Sequence, residues 1–496
     1  MSAIVTHGCR LREGRAVKAL AVLAVVGLGL LNAQAAMARG IPAAGAAAPA
    51  CNVTWTGKGA QPQWTIPQNW STGVVPGRTS DVCIDNPALF VLVHANVSIA
   101  VHSLQVSGAA LFLDGTAAHP LTATVATSIN LIPGTGNGGN SKIYLTDASI
   151  HAARINDNTG SSFITSVSGT NRIVSPDLVV SNFGWLVVGS GKLTVTSFSS
   201  LANGTLTGTI ESGGVLVLPG DVTRLVSARV DLTGLDPIQD PSGHDALASL
   251  TSVDAQSSLF ANSDLALGGS LTVSGNVSLG TLTVNGTCTL AGTLATLSAG
   301  TLQGSQVLIG KLATLAAGAI TGNVVNSGTV DSPATITGSY TQAPSGNLEA
   351  VGGPLAVTGK ATLSGFVGAG GTAGTTAPLI TFASRIGNFT SHSLGFNLVT
   401  KADQIDAVFE PQIAAAPATI APGKAVTVGG ASFPALSQVS IYLDVASGTP
   451  LATASVRRNG FFSVAAAIPA SAKAGTHKLI AVGANNALAQ TTITVS

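Results

Sequence analysis

Charge is what this chain has least of. Of its 496 residues only 9% are Asp, Glu, Lys or Arg, against about 25% in an average soluble domain. A disordered polyelectrolyte combines high net charge with low hydrophobicity; here the hydrophobic fraction is 45% and the formal charge +1. A nucleic-acid surface needs basic side chains to neutralise phosphates, so no nucleic-acid partner is expected. Aromatics, at 4%, are too few for a core built on large rings. Four cysteines exclude a disulfide-dense scaffold. Glutamate occurs four times, at Glu13, Glu211, Glu349 and Glu410, which leaves paired-carboxylate chemistry few places to sit. Beyond residue 38 no uninterrupted apolar run approaches the length of a bilayer span, so no transmembrane segment is expected in the mature chain. No segment there sustains a helical period. Glycine, by contrast, is abundant at 59 positions.

The N-terminus reads as a targeting segment. Arg10, Arg12, Arg15 and Lys18 precede an apolar run from Ala19 to Leu31, followed by Ala33-Gln34-Ala35 and Ala36-Met37-Ala38. That is the layout of a signal peptide over residues 1–38, and it implies a secreted or cell-surface protein. Its removal takes four basic side chains and one acid from totals of 22 and 21, leaving 18 and 20 and a net charge of −2. In an oxidising compartment Cys51 and Cys83 are the expected disulfide partners. Cys288, inside Thr287-Cys288-Thr289-Leu290, reads as a buried small hydrophobe.

Residues 39–50, rich in Ala, Pro and Gly, read as a linker. Three of the four tryptophans, Trp55, Trp64 and Trp70, then follow in close succession. They are read as the plug of an N-terminal cap over 51–96, with a ligand-stacking platform as the alternative. From 97 to 409 short alternating segments end in glycine, as in Leu271-Thr272-Val273-Ser274-Gly275 and Leu282-Thr283-Val284-Asn285-Gly286. Period-2 alternation is the signature of a strand with one buried face. So long a succession of short strands suits a β-solenoid, in which each coil buries its face against its neighbours. Residues 410–422 read as a second linker. The stretch 423–496 reads as a small β-sandwich, with Asn459-Gly460 as its hairpin turn.

Candidate chemistry is sparse. Asp231, Asp236, Asp240 and Asp245, with His244, form the densest acidic stretch. It is a candidate for calcium or for an acid/base pair, but its spacing matches no EF-hand loop and Asp-Pro and Ser-Gly are turn chemistry. Gly134 to Gly139 contains a formal G-x-G-x-x-G without a following helix. The histidines, His94 and His102 among them, are scattered and read as exposed polar positions. No catalytic, cofactor or metal residues are expected.

Trp55-Thr56-Gly57, Asn69-Trp70, Gly73, Pro76 and Asp81 resemble the opening motif of bacterial surface proteins built on right-handed parallel β-helices, including autotransporter-type passengers. Asn326-Ser327-Gly328-Thr329-Val330 and Gly338-Ser339-Tyr340-Thr341-Gln342 resemble their recurrent coil. Thr358-Gly359-Lys360 to Gly365, with Arg385-Ile386-Gly387-Asn388-Phe389, resemble their closing coils. The C-terminal stretch is similar to bacterial immunoglobulin-like modules of the IPT/TIG kind. The resemblance implies an all-β, adhesin-like or structural protein that is not an enzyme and takes no cofactor. Its expected partners are extracellular glycans, the cell wall, or a host or neighbouring surface. The alternative is a polysaccharide-degrading β-helix enzyme, a lyase or glycoside hydrolase. The chain departs from autotransporters in ending on the Ig-like stretch instead of a membrane barrel.

Overall fold

The computed structural model describes residues 50–85, 91–132, 140–157, 162–180, 184–234, 238–293 and 295–496. The proposed signal segment, most of the 39–50 linker, the Gly134–Gly139 loop and Asp236 lie outside them. The regular structure of the described chain is nearly all β, and most of it stacks in parallel as a β-solenoid of about 14 turns.

Parallel in-register pairing sets each residue over its counterpart one coil away, so the inward residues form ladders. One ladder starts at Val93 and climbs through Leu111, Ile143 and Ile164 to Leu348 and Val367. Every rung is aliphatic and at most 2% exposed. Burying such a side chain contributes roughly 1.5–3 kcal/mol, and a narrow interior has no room for large rings. Coil length is irregular: a short coil joins Leu315 to Val330, and a much longer one joins Leu111 to Ile143. The ladder keeps its register across both. Cys288 is a rung of another ladder, between Leu271 and Val307. It is fully buried, and burial pushes its thiol up to about 12.

Two devices turn the corners. At one, Gly304, Gly322, Gly338 and Gly359 stack; a Cβ at Gly322 or Gly338 would strike the carbonyl oxygen of the glycine beneath it. At another, polar side chains replace aliphatic rungs. Asn326 and Gln342 occupy one column between Ile309 and Leu363, and Tyr340 lies beside them. Asn326 Nδ2 donates to the Tyr340 hydroxyl at 3.0 Å, which donates to Gln342 Oε1 at 2.6 Å. Asn326 Oδ1 accepts from the Gly328 N–H. Gln342 Nε2 reaches the carbonyls of Gly346, Ser364 and Phe366. The recurrent Asn-x-Gly and Tyr-x-Gln motif is thus a buried network that satisfies backbone groups where the chain bends.

Both ends of the stack are closed. At the N-terminus Trp64, Trp70 and Trp55 pack edge-to-face, with centroids 4.7 and 4.9 Å from Trp70. Trp70 Nε1 donates to the Trp64 carbonyl at 2.8 Å. The fully buried Asn69 binds the Gly59 N–H and the carbonyls of Gln61 and Gln63. Strands Asp81–Asp85 and Val91–Ala95, inside the stretch read as cap, already pair with the solenoid coils Ser103–Ser107 and Ala109–Asp114. Cys51 and Cys83 form a disulfide. The Cys51→Ser/Cys83→Ser double variant is expected to lose about 2–4 kcal/mol of stability, measured by denaturant unfolding. Wild-type protein should fall to the same midpoint when reductant is added.

At the other end the pairing turns antiparallel: Thr376–Gly387 pairs with Gln404–Phe409, which pairs with Phe396–Thr400. This hairpin covers the last coil, protecting an edge that would otherwise invite further strands. Its buried Asp406 is held by Lys401 Nζ at 2.6 Å and Gln404 Nε2 at 2.6 Å.

The C-terminal module has its own core, from Ile413 to Val495, between a three-stranded and a five-stranded sheet, a mixed-strand sandwich compatible with an Ig-like domain. Two expectations change here. Residues 410–422, read as a linker, supply two strands: Gln412–Ala416 pairs with Ala425–Ala431, and Thr419–Ile420 with Leu488–Val495. Ile413, buried in that core, explains why they are held. The Asn459-Gly460 turn forms, with Gly460 at φ +79°, but the strands flanking it belong to different sheets. It is a crossover, because a sandwich needs its chain to change layers.

His477 links two strands of the module. Its Nδ1 lies 2.7 Å from Asp444 Oδ2 and its Nε2 2.8 Å from the Lys473 carbonyl. Two acceptors favour the doubly protonated ring, so the hydrogen bond to Asp444, then that to Lys473, raises the His477 pKa. A raised folded-state pKa stabilises fully below the unfolded value of about 6.5 and fades as pH rises through the folded one. The melting difference between wild type and His477→Gln is therefore expected to be largest below about pH 6.5 and to shrink as pH rises above it.

Candidate functional site

Along each strand the residues before and after an inward rung point outward, so two outward columns flank the Val93 ladder. Near the N-terminus one column carries His94, Phe112 and Tyr144. Their rings stack at 4.6 and 4.5 Å with interplanar angles of 13° and 17°. Rings stacked this way cover one another's faces and turn edges to solvent. His94 also meets Asp114 at 2.7 Å, and His102 meets Asp81 at 2.7 Å. Both histidines are exposed polar positions, and each carries a carboxylate partner.

Farther along, four consecutive coils bring together residues of another kind. The first column holds Trp185, Thr209 and Arg229; the second holds Glu211, Asp231 and Phe260. Glu211 and Asp231 are direct register neighbours, at the ~4.8 Å spacing of adjacent strands. The Arg229 guanidinium reaches back over two coils to the Trp185 ring, 5.6 Å from its centroid, and its Nη2 lies 3.4 Å from Asp231 Oδ2. Thr209 between them is buried. Phe260 is 37% exposed. A cation–π pair thus stands beside a carboxylate pair on the outward side of the sheet.

The second column later carries another pair, Asp331 and Glu349. Burial, then the like charge of Glu349, pushes the Asp331 carboxyl above the ordinary range. Asn347 Nδ2 donates to Glu349 Oε1 at 2.7 Å.

Among the described residues of the acidic stretch singled out in the sequence, only Asp231 joins this face. Asp240 accepts the N–H groups of Ser242 and His244, lies 3.4 Å from the His244 ring, and is held below its ordinary pKa first by the His244 backbone bond. Asp245 accepts the Leu247 N–H, and burial raises its pKa. Both do turn work. Asp245 also lines a cavity of ≈ 10 Å³ with Asp264, Leu259 and Leu265, room for a single water. Among the described residues no group of three or more His, Cys, Asp or Glu is placed to hold a metal. The rings of Trp55, Trp64 and Trp70 are at most 7% exposed, the geometry of a plug. Sequence reading missed Trp185, Glu211, Arg229 and Phe260 because they are widely scattered along the chain. Only the coil length relates them.

Fold and face together define an all-β solenoid protein carrying a β-sandwich module. Compared with family models, with curated proteins and with solved structures, the chain matches none. No helix among the described residues is long and apolar enough to cross a membrane.

Proposed function

We propose that the protein is a non-catalytic, adhesin-like or structural component of a bacterial cell surface or secretion, and that its solenoid face binds extracellular glycans. The observation that carries this reading is the juxtaposition of Trp185, Glu211, Arg229, Asp231 and Phe260 on one open sheet face. Carboxylates and guanidinium supply fixed hydrogen-bond partners for sugar hydroxyls, and aromatic surface accepts the apolar faces of pyranose rings. The Cys51–Cys83 disulfide fits an oxidising compartment outside the cytosol. The sandwich, in the IPT/TIG-like reading, acts as a spacer.

Cell fractionation followed by a glycan array on the purified mature chain tests the proposal. Recovery at the surface or in the medium, with binding to a defined glycan set, is the expected result. Cytosolic recovery, or no glycan bound, would overturn it.

A second reading, a polysaccharide-degrading enzyme, is favoured by the Glu211–Asp231 register, since retaining glycosidases hold their carboxyl groups about 5–5.5 Å apart. Against it, Asp231 is tied to Arg229, and the pair stands on an open face in contact with water. New reducing ends or unsaturated products after incubation with polysaccharides would decide for the enzyme.

A further inference from the structure

The excess charge on this face is negative. In the two outward columns flanking the Val93 ladder, Glu211, Asp231, Asp331 and Glu349 stand against Lys142 and Arg229, a net of −2. All four acids lie in the same column, as two register-adjacent pairs. Five coils separate Asp231 from Asp331, through Phe260, Ser278, Ser298 and Ala316. At the strand spacing that is ~24 Å along the axis.

Like charges on adjacent rungs repel, and among the described residues neither Glu211 nor the Asp331–Glu349 pair has a basic partner. Beyond Phe260 the residues between the pairs are small and neutral, so the column is a track that carries carboxylates at two stations, the first offset in part by Arg229 in the neighbouring column. Phe260, exposed and one coil from Asp231, borders the first station, while the Trp185 ring is covered by Arg229. A ligand suited to this track is linear, bears repeated positive charge, and offers apolar ring faces.

Resting on the glycan-binding reading, we infer that the track takes a linear amino-sugar polysaccharide with free, protonated amines, lying along the solenoid axis. Its ammonium groups meet the two carboxylate stations, and a pyranose face meets the exposed Phe260 ring beside the first. A polyuronate would meet the column with its own sign of charge. A cationic peptide would satisfy the carboxylates but would gain little from the Phe260 ring.

The test is a titration of the mature, disulfide-bonded chain with four probes at mildly acidic pH. These are a fully deacetylated glucosamine oligomer, its N-acetylated counterpart, an oligogalacturonate and poly-lysine of matched length. The deacetylated oligomer should bind best, about tenfold better than the N-acetylated one. Its affinity should fall several-fold as ionic strength rises to about 0.3 M, where screening shortens the reach of charge. The Glu211→Gln/Glu349→Gln variant, which removes two charges and keeps a side-chain oxygen for Asn347, should lose about tenfold for the deacetylated oligomer and keep its melting temperature. Equal or better binding of the acetylated oligomer, the polyuronate or poly-lysine would overturn the inference, as would an unaffected variant. In those cases the broader glycan reading stands if any sugar binds; if none does, both fall.

Discussion

Trp70→Ala is expected to destabilise the N-terminal end of the solenoid by about 3–5 kcal/mol, the usual cost of truncating a buried large aromatic. Trp70 sits between Trp55 and Trp64, meeting both edge-to-face, and its indole N–H is the donor to the Trp64 carbonyl. Removing the ring opens a void, strips two aromatic contacts and orphans a buried carbonyl. Solenoid stability is approximately a sum of nearest-neighbour terms, so the loss should be local. Hydrogen exchange should accelerate around Val82, Ile84 and Val93 and leave the coils near Leu348 unchanged. Trp70→Phe keeps most of the packing and should cost about 1–3 kcal/mol, the penalty of the orphaned acceptor. Wild-type exchange in both variants would mean that the tryptophans do not close the stack.

Gln342→Leu should cost about 2–4 kcal/mol, although leucine suits the volume of a rung between Asn326 and Leu363. The substitution leaves the Tyr340 hydroxyl without its acceptor and the carbonyls of Gly346, Ser364 and Phe366 without their shared donor. Buried groups stripped of a partner lose about 1–3 kcal/mol each, less than additively within one network. A double-mutant cycle separates this account from simple packing. Tyr340→Phe removes the hydroxyl that Gln342→Leu would orphan, so the double variant should lose less than the sum of the singles. Additive losses would show that the network does not act as a unit.

Much of the architecture is legible because it is local. Alternation of Val, Leu or Ile with Thr, Ser or Asn marks each strand, and glycine marks the corners where stacked carbonyls leave no room for Cβ, as at Gly322 and Gly338. Cys288 is readable for the same reason: an apolar neighbourhood in an alternating run is an inward rung. The outward columns are not readable. Coils differ widely in length, as the Leu315–Val330 and Leu111–Ile143 steps show, so neighbours in space have no fixed separation in sequence. Asp231 and Asp240 are close in sequence and do different jobs. Asp231 and Glu211, much farther apart along the chain, are side by side.

Local pattern therefore encodes the class of structure: strands with one buried face, turned at glycines, in a chain too poor in aromatics and charge for any but a narrow aliphatic interior. Tertiary structure decided everything that depends on register. It buried the three clustered tryptophans and drew residues 412–416 and 419–420 into the sandwich. It sent the chain across layers at Asn459-Gly460, and it assembled an acidic, aromatic-bordered face from residues that no local pattern connects. Strand periodicity is encoded within a few residues, whereas stacking register is settled only when each coil finds the core of the next.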